Sequence, residues 1–105
     1  MNVSRREKLE AMLQSDPADQ TLRYMLAMEL SNCGETDRSL ILFEGLMNDP
    51  EPYVPAFLMC GQLQTRLDQP ENARQTFLSG IAEAKRQKND HAAGEMAQFL
   101  ASLPS

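Results

Sequence analysis

The segment most informative about the fold is PAFLMCGQLQTRLDQPENARQTFLSGIAEA, residues 55–84. It holds two helical apolar patterns, which are joined at residues 67–70, where polar residues and a proline interrupt the spacing. We therefore expect two helices connected by a short turn. The residues that carry the pattern are Phe57, Cys60, Gly61, Ala73 and Phe77.

The same pattern of side-chain sizes occurs once before, 34 residues earlier in the chain. Met25 aligns with Met59 and Phe43 aligns with Phe77, and among the pairs compared only these two are identities. What repeats is the order of side-chain sizes. Each first helix has a large residue and then a small one, and each second helix has a small residue four positions before an aromatic. The other pairs compared are Leu26 with Cys60, Ala27 with Gly61, Ser39 with Ala73 and Met47 with Ile81.

A helix-hairpin period of 34 residues resembles the tetratricopeptide repeat. In that family an aromatic residue, Leu-Gly and Tyr line the first helix, and Ala, Phe and a closing Pro mark the second. The later copy departs at Gln64, which stands where Tyr is usual, and the earlier copy departs at Arg23, which stands where an aromatic residue is usual. The matching residues are Phe57, Cys60, Gly61, Ala73 and Phe77 in the later copy, and Leu26, Ala27, Leu30, Ser39, Phe43 and Pro50 in the earlier one.

The resemblance implies an all-α fold, a right-handed helix-hairpin solenoid of six helices in a single domain over residues 1–105. We expect repeat copies at about 20–53 and 54–87. Each end extends the pattern by half a repeat, which predicts capping helices at about 4–14 and 90–103. A closed helix bundle is the alternative fold, but it would not need small residues at fixed intervals.

Local signals place some of the helix ends. Ser4 and Glu7 have the spacing of a capping box, which predicts the start of the first helix. Asp16 followed by Pro17 predicts the start of the second helix, with Asp16 as its cap. Gly34 is a natural stop for that helix.

The charge pattern limits the kind of partner. The net charge is −5, which argues against nucleic acid, because phosphate binding needs clustered Lys and Arg. Between residues 29 and 51 there are six acids and a single base, Arg38. This acidic stretch is either a solvated face or a surface that steers a basic partner. The acids are Glu29, Glu35, Asp37, Glu44, Asp49 and Glu51.

Several features indicate a cytoplasmic protein without a membrane segment. No apolar run approaches the roughly 18 residues of a membrane span, and residues 1–14 lack the apolar core of a signal peptide. Cys33 and Cys60 have no metal-ligand spacing and are expected to be reduced thiols.

Nothing in the sequence converges on catalysis. His91 is the only histidine, so there is no catalytic pair of histidines. The glycines at positions 45, 61, 80 and 94 are isolated within predicted helices, so no phosphate-binding loop is formed. We predict no enzyme activity, no cofactor and no metal site.

Two non-catalytic functions compete. The first is a scaffold that binds a peptide or protein segment, because in the resembled family the first helix of each pair lines a concave groove. The second is a structural subunit that self-associates or docks through an exposed apolar face. The resemblance places the following residues in the groove, on a face turned away from the second helices: Tyr24, Met28, Ser31 and Asn32, then Leu58, Gln62, Thr65 and Arg66, then His91, Glu95 and Gln98. The short array could also cover these side chains itself.

Overall fold

The computed structural model describes residues 4–104, and within them it has six α-helices and no strand. The all-α prediction is confirmed, and the helix ends lie within a few residues of those expected. The helices are α1 (Arg5–Ser15), α2 (Gln20–Asn32), α3 (Thr36–Met47), α4 (Val54–Arg66), α5 (Pro70–Arg86) and α6 (Asp90–Ala101).

The helix starts follow local capping chemistry, with one correction. The backbone N–H of Glu7 donates to the Ser4 hydroxyl over 3.1 Å, as the capping-box spacing predicts. The second helix does not begin at Asp16, which instead follows the end of α1. Its cap is Asp19, whose carboxylate accepts from the Leu22 N–H at 2.8 Å. The prediction was wrong because α1 continues to Ser15, so that Asp16 ends one helix before it can begin another.

Three helices end in the same kind of turn. Gly34, Asp68 and Lys88 each adopt a positive φ directly after the cap of α2, α4 and α5. After α4, the N–H groups of Asp68 and Gln69 return to carbonyls of the last helical turn at 3.1 and 2.9 Å. This is the Schellman arrangement, which satisfies carbonyls that the helix leaves without a partner.

The chain divides into two compact units, residues 1–49 and 50–105. In the first unit α2 packs against both α1 and α3. Leu9, Leu26 and Leu30 are buried together, with Leu13, Leu22, Met25 and Leu42 packed around them. Ser39 is also fully buried, and its hydroxyl donates to the Ala27 carbonyl of α2 at 2.7 Å. The hydroxyl is therefore satisfied where the repeat usually has alanine.

In the second unit α5 packs against both α4 and α6. A Cβ atom on Gly61 would lie 2.6 Å from Cζ of Phe77, so only glycine allows this approach between α4 and α5. Gly80 has the same role on α5, where a Cβ atom would meet Met96 and Phe57. Phe77 and Met96 are fully buried as a result.

Candidate functional site

The first unit presents the predicted residues Tyr24, Met28 and Asn32 on α2. Their spacing of four residues places them along one face of that helix. Tyr24 and Met28 are half-buried, and Asn32 is exposed at the end of the helix. The three residues form a short strip with an apolar beginning and a polar end.

The repeat alignment predicted that Tyr24 lies on a face of α2 turned away from α3. That prediction is wrong for Tyr24. Its ring packs edge to face against Phe43 of α3, with ring centroids 6.2 Å apart and planes inclined by 62°. Phe43 is almost completely buried. Tyr24 therefore contributes to the core as well as to the surface, because an aromatic ring on this side of α2 is long enough to reach its hairpin partner.

An ion pair fixes the beginning of α2. Arg23 donates to both carboxylate oxygens of Asp49, at 3.2 Å to Oδ1, and Gln20 donates to Oδ2 at 2.9 Å. These hydrogen bonds, led by those from Arg23, hold the pKa of Asp49 below its usual range. Asp49 follows α3, so the pair connects the end of α3 to the first turn of α2. Arg23 thus replaces the packing of an aromatic residue with a two-point ion pair.

The second unit presents Leu58, Gln62 and Arg66 on α4, again at a spacing of four. Leu58 and Gln62 are half-buried, and Arg66 is exposed. Gln62 and Arg66 line an open cavity of about 210 Å³ together with Thr65 of α4 and Phe99 of α6. The structure therefore brings three of the predicted residues of α4 together with a side chain from the last helix.

Phe99 is the residue of this cavity that the sequence did not single out. It is 41% exposed, and its ring stacks on Phe77, with centroids 5.8 Å apart and an angle of 12° between the planes. An aromatic residue in the last helix that is not part of the apolar spacing of Ala93, Met96 and Leu100 is the signal that could have indicated it.

His91 and Glu95 lie one turn apart on α6 and form an ion pair of 3.3 Å between Nε2 and Oε1 when the imidazole is protonated. The His91 side chain is 87% exposed. Neither residue is among those that line the cavity. The reason is that the first helices are not evenly spaced along the chain. The starts of α2 and α4, Gln20 and Val54, are 34 residues apart, whereas α6 begins at Asp90, 36 residues after the start of α4. His91 and Glu95 therefore correspond to Pro55 and Met59 rather than to Leu58 and Gln62.

No group of three or more His, Cys, Asp or Glu side chains that could hold a metal ion occurs within residues 4–104. Cys33 is exposed after α2 and Cys60 is buried in α4, and neither is in a disulfide. None of the helices between Ser4 and Pro104 has the length and apolar composition needed to cross a membrane.

Comparison with solved structures shows the family. The chain is similar to the solution structure of a tetratricopeptide repeat domain protein from Salinibacter ruber, with 33% sequence identity and a TM-score of 0.76. The match covers 82% of this chain and 87% of that chain. The chain belongs to the tetratricopeptide repeat (TPR) family.

A second solved structure supports the TPR fold. It is a protein from Bordetella parapertussis, 26% identical, with a TM-score of 0.79, and the match covers 95% of this chain and 87% of that chain. No family model matches the sequence, and no curated protein matches it. The helical hairpins are therefore those of a TPR repeat, a type of module that takes part in protein–protein interactions.

Proposed function

We propose that this TPR protein is a non-catalytic, cytoplasmic scaffold that binds a peptide or protein segment on the first helices of its hairpins. The observation that carries the proposal is the cavity between α4 and α6, which combines an aromatic ring with an amide, a hydroxyl and a guanidinium group. Ligand-binding sites combine apolar contacts with a few polar groups in this way.

Each residue of α4 has a defined capacity for such a ligand. Gln62 can donate to and accept from a peptide backbone, and Arg66 offers several N–H donors to carbonyl or carboxylate oxygens. Leu58 adds apolar area on the same helix face and is half-buried. An extended segment can therefore be held by backbone hydrogen bonds and by at least one apolar side chain.

The first unit offers a second contact surface of similar chemistry. Met28 has a flexible thioether side chain that adapts to varied shapes, and Asn32 has an exposed amide for hydrogen bonds. Tyr24 presents the part of its ring that does not pack on Phe43. His91 and Glu95 on α6 remain proposed as polar contacts at the edge of the surface.

A photo-cross-linking experiment tests the proposal. We expect p-benzoylphenylalanine at position 58 to capture a protein from the cells that express this chain, because that position lies on the proposed binding face. The matched control places the same group at Leu78, which is exposed on α5, a second helix. Proteins captured at position 58 and not at position 78 are then purified and tested for binding.

Binding of such a partner should weaken by about tenfold or more in the Leu58→Ala, Gln62→Ala double variant, since a few central residues carry most interface energy. The melting curve should change little, because both side chains are only half-buried. Tyr24 is left unchanged, because its contact with Phe43 would confuse loss of binding with loss of stability. Equal capture at positions 58 and 78 would contradict the proposal.

A structural subunit that self-associates remains the second candidate. Within residues 4–104, five large apolar side chains are exposed, each on or next to a different helix, and such residues can belong to an interface. They are Met12, Ile41, Leu67, Leu78 and Phe99.

A further inference from the structure

One aromatic ring, that of Phe99, lines the cavity between α4 and α6. It packs nearly parallel to the buried ring of Phe77 in an offset arrangement, and 41% of Phe99 remains exposed. We propose that this cavity is a subsite for an aromatic side chain of the bound segment, which stacks on Phe99 beside the guanidinium of Arg66. The proposal rests on the proposed function and names the chemistry of the ligand.

The ring of Phe99 packs on one neighbour that is itself tightly enclosed. Phe77 is fully buried and lies against Gly61, where even a methyl group would not fit. Phe77 is therefore a rigid support for Phe99, which already packs against it before a ligand binds. Such preorganisation removes part of the cost of binding a third ring.

The second group that favours an aromatic ligand is Arg66. Among the described residues it is the one charged side chain of the cavity lining, and its planar guanidinium can lie over an aromatic face. Stacking uses the face of the guanidinium, so the N–H groups keep whatever hydrogen bonds they already make. A ring between Phe99 and Arg66 would gain contact on both faces, whereas an aliphatic side chain would gain only apolar area.

The remaining residues suit a ring with a polar edge. The amide nitrogen of Gln62 lies 3.9 Å from the sulfur of Met59, a weak contact that a phenol oxygen can replace. The Thr65 hydroxyl donates to the Gly61 carbonyl at 2.8 Å, and its oxygen can still accept a hydrogen bond. Tyrosine and tryptophan are therefore better ligands than phenylalanine.

The chain contains no tryptophan, so a tryptophan probe can be followed by its fluorescence when it is excited at a wavelength that Tyr24 and Tyr53 do not absorb. The probe is the peptide acetyl-Ser-Gly-Trp-Gly-Ser-amide, titrated with the full chain. Competitors of the same sequence carry Tyr, Phe, Leu or cyclohexylalanine in place of Trp. We expect the Tyr peptide to compete about fivefold better than the Leu peptide, which is the size expected for an aromatic pair.

Two conservative variants test whether binding depends on the aromatic ring and the planar guanidinium, or only on apolar volume and positive charge. Phe99→Leu keeps an apolar side chain and should weaken binding of the Trp peptide about fivefold. Arg66→Lys keeps the charge, loses the planar group and should weaken it about threefold. Leu78→Ala, at an exposed position outside the cavity, should leave binding unchanged. Melting curves of each variant check that the fold is intact.

The proposal is overturned if the Leu or cyclohexylalanine peptide competes as well as the Tyr peptide, or if no probe binds. It is also overturned if Phe99→Leu, still folded, binds the Trp peptide as tightly as the unchanged chain. Capture of a partner by cross-linking at position 58 can succeed in each of these cases. Failure of the aromatic subsite is therefore distinguishable from failure of the proposed binding function.

Discussion

Arg23 shows how one residue can depart from a repeat pattern and keep the fold. It lies where the TPR family has an aromatic residue, and its guanidinium instead holds both oxygens of Asp49. Both side chains are about four-fifths buried. An ion pair shielded to this degree, and further supported by Gln20, contributes more than an exposed surface pair.

The lowered pKa of Asp49 predicts how this contribution depends on pH. Since the folded-state pKa lies below the unfolded value of about 3.9, Asp49 stabilises the fold fully above that value. The stabilisation is lost as the pH falls through the lower folded-state pKa. We expect Asp49→Asn to reduce the free energy of unfolding by about 1–2 kcal/mol at pH 7. The difference from the unchanged chain should shrink below about pH 4.

Urea melts between pH 7 and pH 2 provide the measurement. Asp16→Asn is the matched control, because Asp16 is an exposed aspartate in the turn after α1. A stability difference for Asp49→Asn that stays constant over the whole pH range would contradict the assigned role of the Arg23–Asp49 pair.

At the scale of helices, glycine decides how closely α4, α5 and α6 pack. A Cβ atom on Gly80 would lie 2.5 Å from the Met96 sulfur and 2.6 Å from Cβ of Phe57. By contrast, a Cβ atom on Gly94 of α6 would meet nothing within 4 Å. The two glycines are thus a matched pair, one in a contact and one facing open space.

We predict opposite effects of alanine at these two positions. Gly80→Ala should lower the free energy of unfolding by about 1–3 kcal/mol, because the contact is overpacked. Gly94→Ala should raise it by about 0.5–1 kcal/mol, since alanine is the better helix former and has room. Denaturant melts of the two variants measure both values. Equal effects, or a stabilising Gly80→Ala, would show that α5 and α6 do not approach as closely as described.

Much of this element structure could be predicted from the sequence. The spacing of Gly61, Ala73 and Phe77 gave the hairpin of α4 and α5, because close packing requires small residues at defined positions. The start of α6 was predicted correctly at about residue 90, but the groove residues on it were assigned in the wrong register, since α5 is longer than α3 and the turn after it is shorter. The apolar periodicity within each helix does not show that a longer helix is partly offset by a shorter turn.

The candidate site was predictable to a similar extent. Leu58, Gln62 and Arg66 follow from the repeat pattern, because they share one face of a single helix. Phe99 does not, since it reaches the cavity only after α6 has packed on α5. A residue of this kind depends on tertiary contacts, which a repeat alignment does not contain.

At the scale of the whole chain, the acidic stretch is less negative than its composition indicates. Glu29 pairs with Arg5 at 3.2 Å, and Glu35 pairs with Arg6. Asp49 and Glu51 pair with Arg23 and Arg86. These arginines lie outside residues 29–51 in the sequence. The composition of that stretch therefore includes the acids but not most of the bases that neutralise them. The pairing favours a mostly neutralised surface over one that steers a basic partner.

The net charge of −5 still predicts that copies of the chain repel one another. We expect a monomer at all concentrations, because the exposed large apolar side chains are distributed one to a helix or turn. Size-exclusion chromatography with light scattering from micromolar to millimolar protein measures the mass. A mass that rises with concentration would instead favour the self-associating subunit, and its dependence on salt would show whether charge opposes assembly.

The Arg23–Asp49 pair also predicts a signature by which related sequences can be recognised. The two residues are 26 positions apart, and their two-point ion pair requires both of them. Among repeats that have arginine in place of the first-helix aromatic, an acid should therefore occur 26 residues later. In the second copy of this chain, which has Phe57 at the equivalent position, the residue 26 positions later is Glu83, which pairs with Arg86 instead. A sequence search that scores each position separately lowers the score for the arginine and does not raise it for the acid. A search that scores the two positions jointly would recover such chains.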